Sequence, residues 1–296
     1  LSHILLYMTY REKRPPPIRT DISNLEKKGV FDERMNNVKT NTSNLTYYIE
    51  YLKGLISSRG KGAGTGTGTG THENLFHKMF YIAKLEKEVI ENSHMLKGCE
   101  KRKLTYMIRN NEYVSTRTHP VGYKIQTFAY FYKDSIPAIA KTYIFSKYIS
   151  TDKQLSIKNA FYNEITFQIY AKTMNEKVGF ITPNIYSYGY FFFQDPEDSD
   201  ILMACYYIIM EYIEGVMVRN VTYNINTYKN LYERLEDIDQ KLKGELLSHN
   251  DLHPRNVILT PKNEIAIIDY GEAGIGTNEC IGSRLPKMPK FLIPSL

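Results

Sequence analysis

The side chains of this 296-residue chain that could do chemistry together lie toward its C-terminal end. Ser248-His249-Asn250-Asp251-Leu252-His253-Pro254-Arg255-Asn256-Val257-Ile258-Leu259 is followed, after a polar turn, by Ala266-Ile267-Ile268-Asp269-Tyr270-Gly271-Glu272-Ala273. An aspartate on a loop, an asparagine shortly after it, a short hairpin, and an Asp-aromatic-Gly closing an apolar strand form a metal-phosphate constellation. Phosphoryl transfer asks few parts of a protein. One carboxylate orients the attacking hydroxyl and accepts its proton; a second carboxylate and an amide oxygen hold Mg²⁺, a hard cation that prefers oxygen ligands. The hairpin between Asn256 and Asp269 would fold the two ligands toward each other.

Other elements must position these groups. Apolar residues at helical spacing (Leu75, Met79, Ile82, Leu85, Val89, Ile90) predict a packing helix over Glu73–Leu96. Tyr-, Ile-, Phe- and Val-rich runs at Leu104–Ile108, Tyr123–Tyr132 and Ile136–Phe145 read as strands of an antiparallel sheet. Ser156–Thr173 reads as a helix. Ile185–Phe193 and Met203–Tyr212 read as two more strands, joined by an acidic, solvated loop from Gln194 to Asp200. Tyr228–Leu247 is helical again, with Leu231, Leu235, Ile238 and Leu242 on one side.

Upstream, residues 1 to 40 look irregular around Pro15-Pro16-Pro17, and Asn44–Leu55 suits a short helix. Residues 60–71 are Gly/Thr-rich and read as a flexible linker, because glycine this dense opposes helix formation. A phosphate-binding P-loop is excluded there. It needs Gly-Lys-Ser/Thr at the helix entrance, where this chain has Thr71-His72-Glu73.

The paired motifs resemble those of the protein-kinase-like superfamily. His249-x-Asp251-Leu252-x-x-x-Asn256 is similar to its catalytic loop, and Asp269-Tyr270-Gly271 to its metal-binding Asp-Phe-Gly. The resemblance implies that Asp251 is the catalytic base, that Asn256 and Asp269 are Mg²⁺ ligands, and that His249 braces the loop. Ala138-Ile139-Ala140-Lys141 resembles the strand whose lysine contacts the nucleotide phosphates. Glu164 would be the helix glutamate that pairs with Lys141, with Glu176 as a weaker rival. Ile208-Ile209-Met210-Glu211-Tyr212-Ile213-Glu214-Gly215 resembles the segment between the two lobes. Backbone groups of Glu211, Tyr212 and Ile213 would then hold the adenine edge of ATP, with Met210 at the back of the pocket.

The resemblance covers roughly residues 101 to 275. It implies an α+β, two-lobed fold: an antiparallel N-lobe sheet with one helix, a short and mainly helical C-lobe, and an N-terminal helical extension. The boundaries would be 1–100 for the extension, 101–213 for the N-lobe and hinge, and 214–296 for an abbreviated C-lobe. The pattern also departs from the family. Only Gly122 stands where a Gly-x-Gly-x-x-Gly loop is expected, so Thr116-Arg117-Thr118-His119-Pro120 would have to cover the phosphates. His253 replaces the catalytic-loop lysine of eukaryotic protein kinases, and the His253-Pro254 context looks more like kinases of the aminoglycoside and choline type. No Ala-Pro-Glu follows, and the chain has few residues after Gly271. The sequence therefore reads as a fragment, a minimal kinase, or one whose N-terminal helices replace the missing supports.

The expected activity is ATP- and Mg²⁺-dependent phosphoryl transfer to a hydroxyl, with a Ser or Thr of a protein first in line. The alternatives are a small-molecule kinase and a pseudokinase or truncated regulatory module. Composition agrees with a folded protein: 42% hydrophobic and 24% charged residues exclude a wholly disordered chain. No apolar run approaches the roughly 20 residues of a membrane span. The stretch from Leu1 to Met8 lacks a signal-peptide layout, and Met8 is a candidate start. Cys99, Cys205 and Cys280 form no disulfide or zinc pattern. A soluble, cytoplasmic protein is expected. The net charge of +6 is scattered, which argues against nucleic acid as the main partner. The 25 tyrosines and the absence of tryptophan assign no function.

Overall fold

The computed structural model describes residues 69–220 and 225–275. The prolines at 15–17, the expected Asn44–Leu55 helix, residues 60–68 of the Gly/Thr run and Cys280 lie outside them. The described elements belong to a unit running from Thr71 to Leu296, which helix α1 (Thr69–Glu91) enters from Thr69. Met79, Ile82 and Val89 of the expected apolar set are buried, joined by Glu86, whereas Ile90 is 41% exposed, so the buried stripe runs 79-82-86-89. The helix also takes in Thr69, Gly70 and Thr71, which the composition had placed in the linker. Extending a formed helix adds one hydrogen bond per residue without a new nucleus, and that offsets poor local propensity.

Strand β1 (His94–Met95) and helix α2 (Gly98–Arg109) follow. The expected strand over Leu104–Ile108 is therefore a helix. In a strand, Leu104, Tyr106 and Ile108 would share one face. Instead Leu104 and Ile108 are buried with Met107 packed beside them, while Tyr106 is 62% exposed. That is helical spacing carried by β-favouring residue types, and packing overrides propensity.

Strands β2 (Ser115–Thr118), β3 (Lys124–Tyr132) and β4 (Ile136–Ser146) precede helix α3 (Thr151–Lys172) and the single turn α4 (Asn175–Val178). Strands β5 (Ile185–Gln194) and β6 (Leu202–Glu211) complete a six-stranded sheet in the order β1-β5-β6-β4-β3-β2. Every pairing is antiparallel except β1 with β5.

The pleat divides the core in two. Ala138, Ala140 and Ile144 of β4 join Phe128, Tyr130, Phe191, Cys205, Tyr207 and Ile209 under α2. Tyr143 and Phe145, from the alternate positions, join Ile125, Tyr206 and Ile208 under Ile157, Phe161 and Ile165 of α3. With both faces covered, the central strands read as continuous apolar runs rather than as an alternation.

Beyond β6 lie β7 (Val216–Met217), a 3₁₀ turn (Val218–Asn220), helix α5 (Ile225–Gly244), β8 (Leu247–Ser248), β9 (Val257–Leu259), β10 (Ile265–Ile267), a 3₁₀ turn (Tyr270–Glu272) and β11 (Gly274–Ile275). The expected mainly helical part thus has one long helix among its described residues, beside two small sheets ordered β10-β9-β7 and β11-β8. Leu231, Leu235, Ile238 and Leu242 of α5 are all buried. No described helix is long and apolar enough to cross a membrane.

Glu245, just after α5, ties several helices together. It accepts from Lys78 of α1 at 2.8 Å and from Lys177 of α4, and its carbonyl accepts the Tyr170 hydroxyl of α3 at 2.8 Å. Burial alone would raise the Glu245 pKa; the hydrogen bonds from Lys177 and Lys78 outweigh it and hold the carboxyl below its ordinary 4.5. A carboxyl lowered on folding contributes stability above the unfolded pKa and loses it as pH falls. Glu245→Gln should therefore cost about 1 kcal/mol at neutral pH. The gap from the parent protein should close as urea titrations move below pH 4.5.

A second prediction concerns the sheet edge. Gly189 pairs with His94, and a β-carbon on it would lie 2.0 Å from the His94 carbonyl oxygen. Gly189→Ala should push β1 off β5 and cost about 1–3 kcal/mol, with loss of the 3.0 Å contact from the Tyr207 hydroxyl to His94 Nε2. An unchanged urea midpoint would show that β1 adds nothing to the sheet.

Candidate active site

Strand β4 and helix α3 bring the first pair of candidate residues together. Lys141 lies on the face of β4 that carries Tyr143 and is turned toward α3. Its ammonium donates to Glu164 Oε1 at 2.7 Å and Oε2 at 2.8 Å. Glu164 is 1% exposed, and the Tyr143 hydroxyl also bonds to its Oε2. Glu176, the rival, is an exposed residue of α4.

The third member comes from the C-terminal motif. Asp269 follows β10 with φ 65°, a left-handed turn of the backbone, and its Oδ1 accepts from Lys141 at 2.7 Å. Two features hold that turn against α3. The Asn163 amide donates to the Ala273 carbonyl at 2.8 Å. A β-carbon on Gly271 would come within 3.4 Å of Glu164 Oε2 and 3.5 Å of Asp269 Oδ1, so glycine keeps that space open.

The loop after β8 forms a second group. The Asn256 side-chain amide donates to the Asp251 carbonyl at 3.0 Å and to its Oδ2 at 3.3 Å. His253 Nε2 lies 3.6 Å from the same oxygen. The two groups are joined through Ile268, whose amide donates to the Asn256 carbonyl at 3.0 Å and whose own carbonyl accepts from His249 Nε2 at 3.1 Å. His249 is buried against the Tyr270 ring at 4.9 Å, and the Tyr270 hydroxyl meets Thr182 Oγ1 at 3.1 Å.

Burial lowers the His249 pKa, so its ring is neutral and carries the Nε2 proton, which the Ile268 carbonyl accepts. Burial raises the Tyr270 hydroxyl pKa as well, leaving it a neutral donor or acceptor to Thr182.

The three buried charges do not share their protons evenly. Burial opposes the Lys141 charge, but Asp269 and Glu164 outweigh it and the pKa rises. Burial alone would raise Asp269; the charges of Lys141 and Arg117 reverse this and hold its carboxyl well below the usual carboxylate range. Glu164 is pushed upward by burial, with Lys141 opposing and Asp269 adding to the rise. Of the two carboxyls, Glu164 is therefore the easier to neutralise.

The expected inter-lobe segment stands at the end of β6. Met210 is buried, and its sulfur receives the Gln168 amide at 3.8 Å. The Glu211 amide donates to the Asn184 carbonyl at 2.8 Å, so it is already engaged. Tyr212 and Ile213 follow outside the strand. Gly122, with φ 98°, occupies the turn between β2 and β3. A separate groove of about 730 Å³, between α2 and the end of β5, is lined by Lys101, Arg102, Arg109 and Phe193 among others and includes none of these residues.

For a metal, the donor set is small. No cluster of three or more His, Cys, Asp or Glu able to hold one exists among the described residues. Asn256 Oδ1 and Asp269 Oδ2 have no hydrogen-bond partner among those residues. An amide oxygen and a carboxylate oxygen suit Mg²⁺, which keeps several waters and takes only one or two carboxylates when substrate phosphates complete its shell.

Sequence reasoning missed Tyr143 and Asn163. The signal for Tyr143 was available: it stands two positions after Lys141 on a strand, hence on the same face. Nothing in the sequence marked Asn163, whose partner lies more than a hundred residues away.

No protein-family model matches the chain. Among solved structures, it is similar to the crystal structure of monomeric WbdD, at 13% identity and a TM-score of 0.34 over 57% of this chain and 34% of that one. The medium-resolution structure of the bifunctional kinase-methyltransferase WbdD gives 15% identity and a TM-score of 0.35 over 57% and 32%. The chain spans about a third of the length of these proteins. An overlap this small assigns no activity.

The buried triad predicts a stability effect independent of function. Lys141→Met leaves two carboxylates without their cation and should cost about 3 kcal/mol or more. Adding Glu164→Gln should recover part of that loss, measured by urea denaturation. The single-mutant loss should also shrink as pH falls, because Glu164 has the raised pKa. Equal stability of the single and double mutants would place the cost elsewhere.

Proposed function

We propose that this chain is a phosphotransferase with a protein-kinase-like two-lobed fold, using ATP and Mg²⁺ and delivering phosphate to a hydroxyl. The observation that supports it most is the position of Lys141, bonded at once to Glu164 of α3 and Asp269 of the C-terminal motif. Two carboxylates far apart in sequence converge on one ammonium, beside a loop where Asp251 and Asn256 touch.

In this reading Lys141, oriented by Glu164, binds the nucleotide phosphates and stabilises charge as it shifts during transfer. Asn256 and Asp269 hold Mg²⁺, which supplies neutralisation of phosphate charge when bound. Asp251 accepts the proton of the attacking hydroxyl. Nucleotide binding would exchange the Lys141–Asp269 contact for new partners: phosphate oxygens for the ammonium and a divalent cation for the carboxylate. Both charges stay compensated throughout, which keeps the exchange from stranding a buried ion.

One observation favours a second reading. In this structure Lys141 and Asp269 neutralise each other, and a nucleotide-binding module without turnover would need nothing more.

The test combines binding with turnover. Mg²⁺-ATP should raise the melting temperature of the parent protein and of Asp251→Asn, and the Mg²⁺ dependence should vanish in Asp269→Asn. Asp251→Asn should abolish transfer in a screen of Ser/Thr peptides, aminoglycosides and choline-like alcohols. Turnover surviving in Asp251→Asn removes the proposed base. Nucleotide binding without any acceptor supports the second reading, and no shift at millimolar ATP removes both.

A further inference from the structure

The hairpin between β2 and β3 stands where a glycine-rich loop would present backbone amides to a nucleotide, and three of this hairpin's amides are already engaged. The His119 amide donates to the Tyr123 carbonyl at 2.8 Å, the Gly122 amide to the His119 carbonyl at 2.8 Å, and the Val121 amide to His119 Nδ1 at 3.3 Å. The His119 ring stacks on Tyr123 at 4.5 Å, and Tyr123 stacks on Tyr143 at 5.9 Å, so the turn is packed down against the sheet. With three amides committed, this loop has fewer main-chain donors to offer phosphate oxygens than a glycine-rich loop. A side chain is the other means by which it could hold an anion.

The strand register identifies that side chain. Arg117 pairs with Ile125, and Ile125 pairs with Tyr143. Directly paired residues project from the same face of a sheet. Arg117 therefore shares its face with Tyr143 and Lys141, about two strand spacings or ~10 Å from Tyr143. Lys124, the cation that begins β3, pairs with Thr118 and Ile144 and faces the opposite way.

Arg117 is half-buried, and among the described residues its guanidinium makes no hydrogen bond or ion pair. Its charge nonetheless reaches into the site, acting on Lys141, Glu164 and Asp269 as well as on His119 and Tyr123. A partly desolvated guanidinium with no hydrogen-bonded partner faces a cluster of one ammonium and two carboxylates; it offsets the excess negative charge there at a distance while its own donors stay free for an incoming anion. Its planar fork matches two phosphate oxygens at once.

We propose that Arg117 binds the terminal phosphates of the nucleotide through its side chain, in place of the main-chain amides of a glycine-rich loop. This rests on the nucleotide-binding reading above and adds a residue to it. The ligand class is a nucleoside di- or triphosphate, and adenosine alone would gain nothing from Arg117.

Calorimetric titration of the full chain with ATP, ADP and adenosine in the presence of Mg²⁺ tests this, using the parent protein, Arg117→Ala, Arg117→Lys and Lys124→Ala. Charge-assisted hydrogen bonds of this kind make Arg117→Ala weaken ATP by about ten- to a hundredfold. Adenosine affinity should stay unchanged, Arg117→Lys should fall between, and Lys124→Ala should match the parent protein. ATP affinity in Arg117→Ala equal to that of the parent protein overturns the assignment while leaving the function intact. Equal losses for ATP and adenosine also overturn it, since they report a damaged pocket. A parent protein that binds none of the three removes both this inference and the reading beneath it. Matching melting temperatures establish that the variants are folded.

Discussion

A lysine ammonium held 91% out of solvent between two carboxylates is the constraint on which the rest of this molecule turns. Taking one cation and two anions out of water costs several kcal/mol per ion unless each finds its partner at close range. A strand, a helix and a turn that are separate in the chain bring the Lys141 ammonium to 2.7 Å from both Glu164 and Asp269. Each of those elements must therefore be placed to within a fraction of an ångström, and the surrounding contacts can be understood as doing that.

The sheet provides the rigid reference. Strand β4 lies between β3 and β6, with α2 over one face and α3 over the other, so its alternate positions are committed to two separate cores. Tyr143, one step along from Lys141, is packed between Tyr123 and Phe161 and bonds to Glu164. The residue that aims Glu164 is thereby itself fixed by aromatic contacts. Helix α3 reaches across to the last turn through Asn163 and Ala273, and Gly271 leaves open the space beside Glu164 and Asp269.

The loop that carries Asp251 and Asn256 is braced from behind. Neutral His249 holds the Ile268 carbonyl, Tyr270 packs against its ring at a tilt, and the Tyr270 hydroxyl bonds to Thr182. This chain of buried contacts positions the residue before Asp269 and, through the Ile268 amide, the backbone of Asn256. Lys78 of α1 joins the same region through Glu245, so a helix that the sequence assigned to an N-terminal extension supports the part of the chain that carries the motifs.

Much of this was legible in order and type. Local spacing raised the expectation that His249, Asp251, Asn256 and Asp269 stand together, and the hydrogen bonds through Ile268 and Asn256 join them. Local sequence also determined the strands around Lys141, through their aromatic and aliphatic runs, and the helices beneath the 3.6-residue apolar patterns. The segment Leu104–Ile108 went the other way: its Tyr and Ile content favours a strand, and only the presence of a sheet face to cover made it a helix. That Lys141 meets Glu164 and Asp269 at once, that Asn163 reaches the Ala273 carbonyl, and that Arg117 shares a sheet face with Lys141 were decided by tertiary structure. These outcomes depend on strand register and helix placement across more than twenty to more than a hundred residues, and no local pattern carries that information.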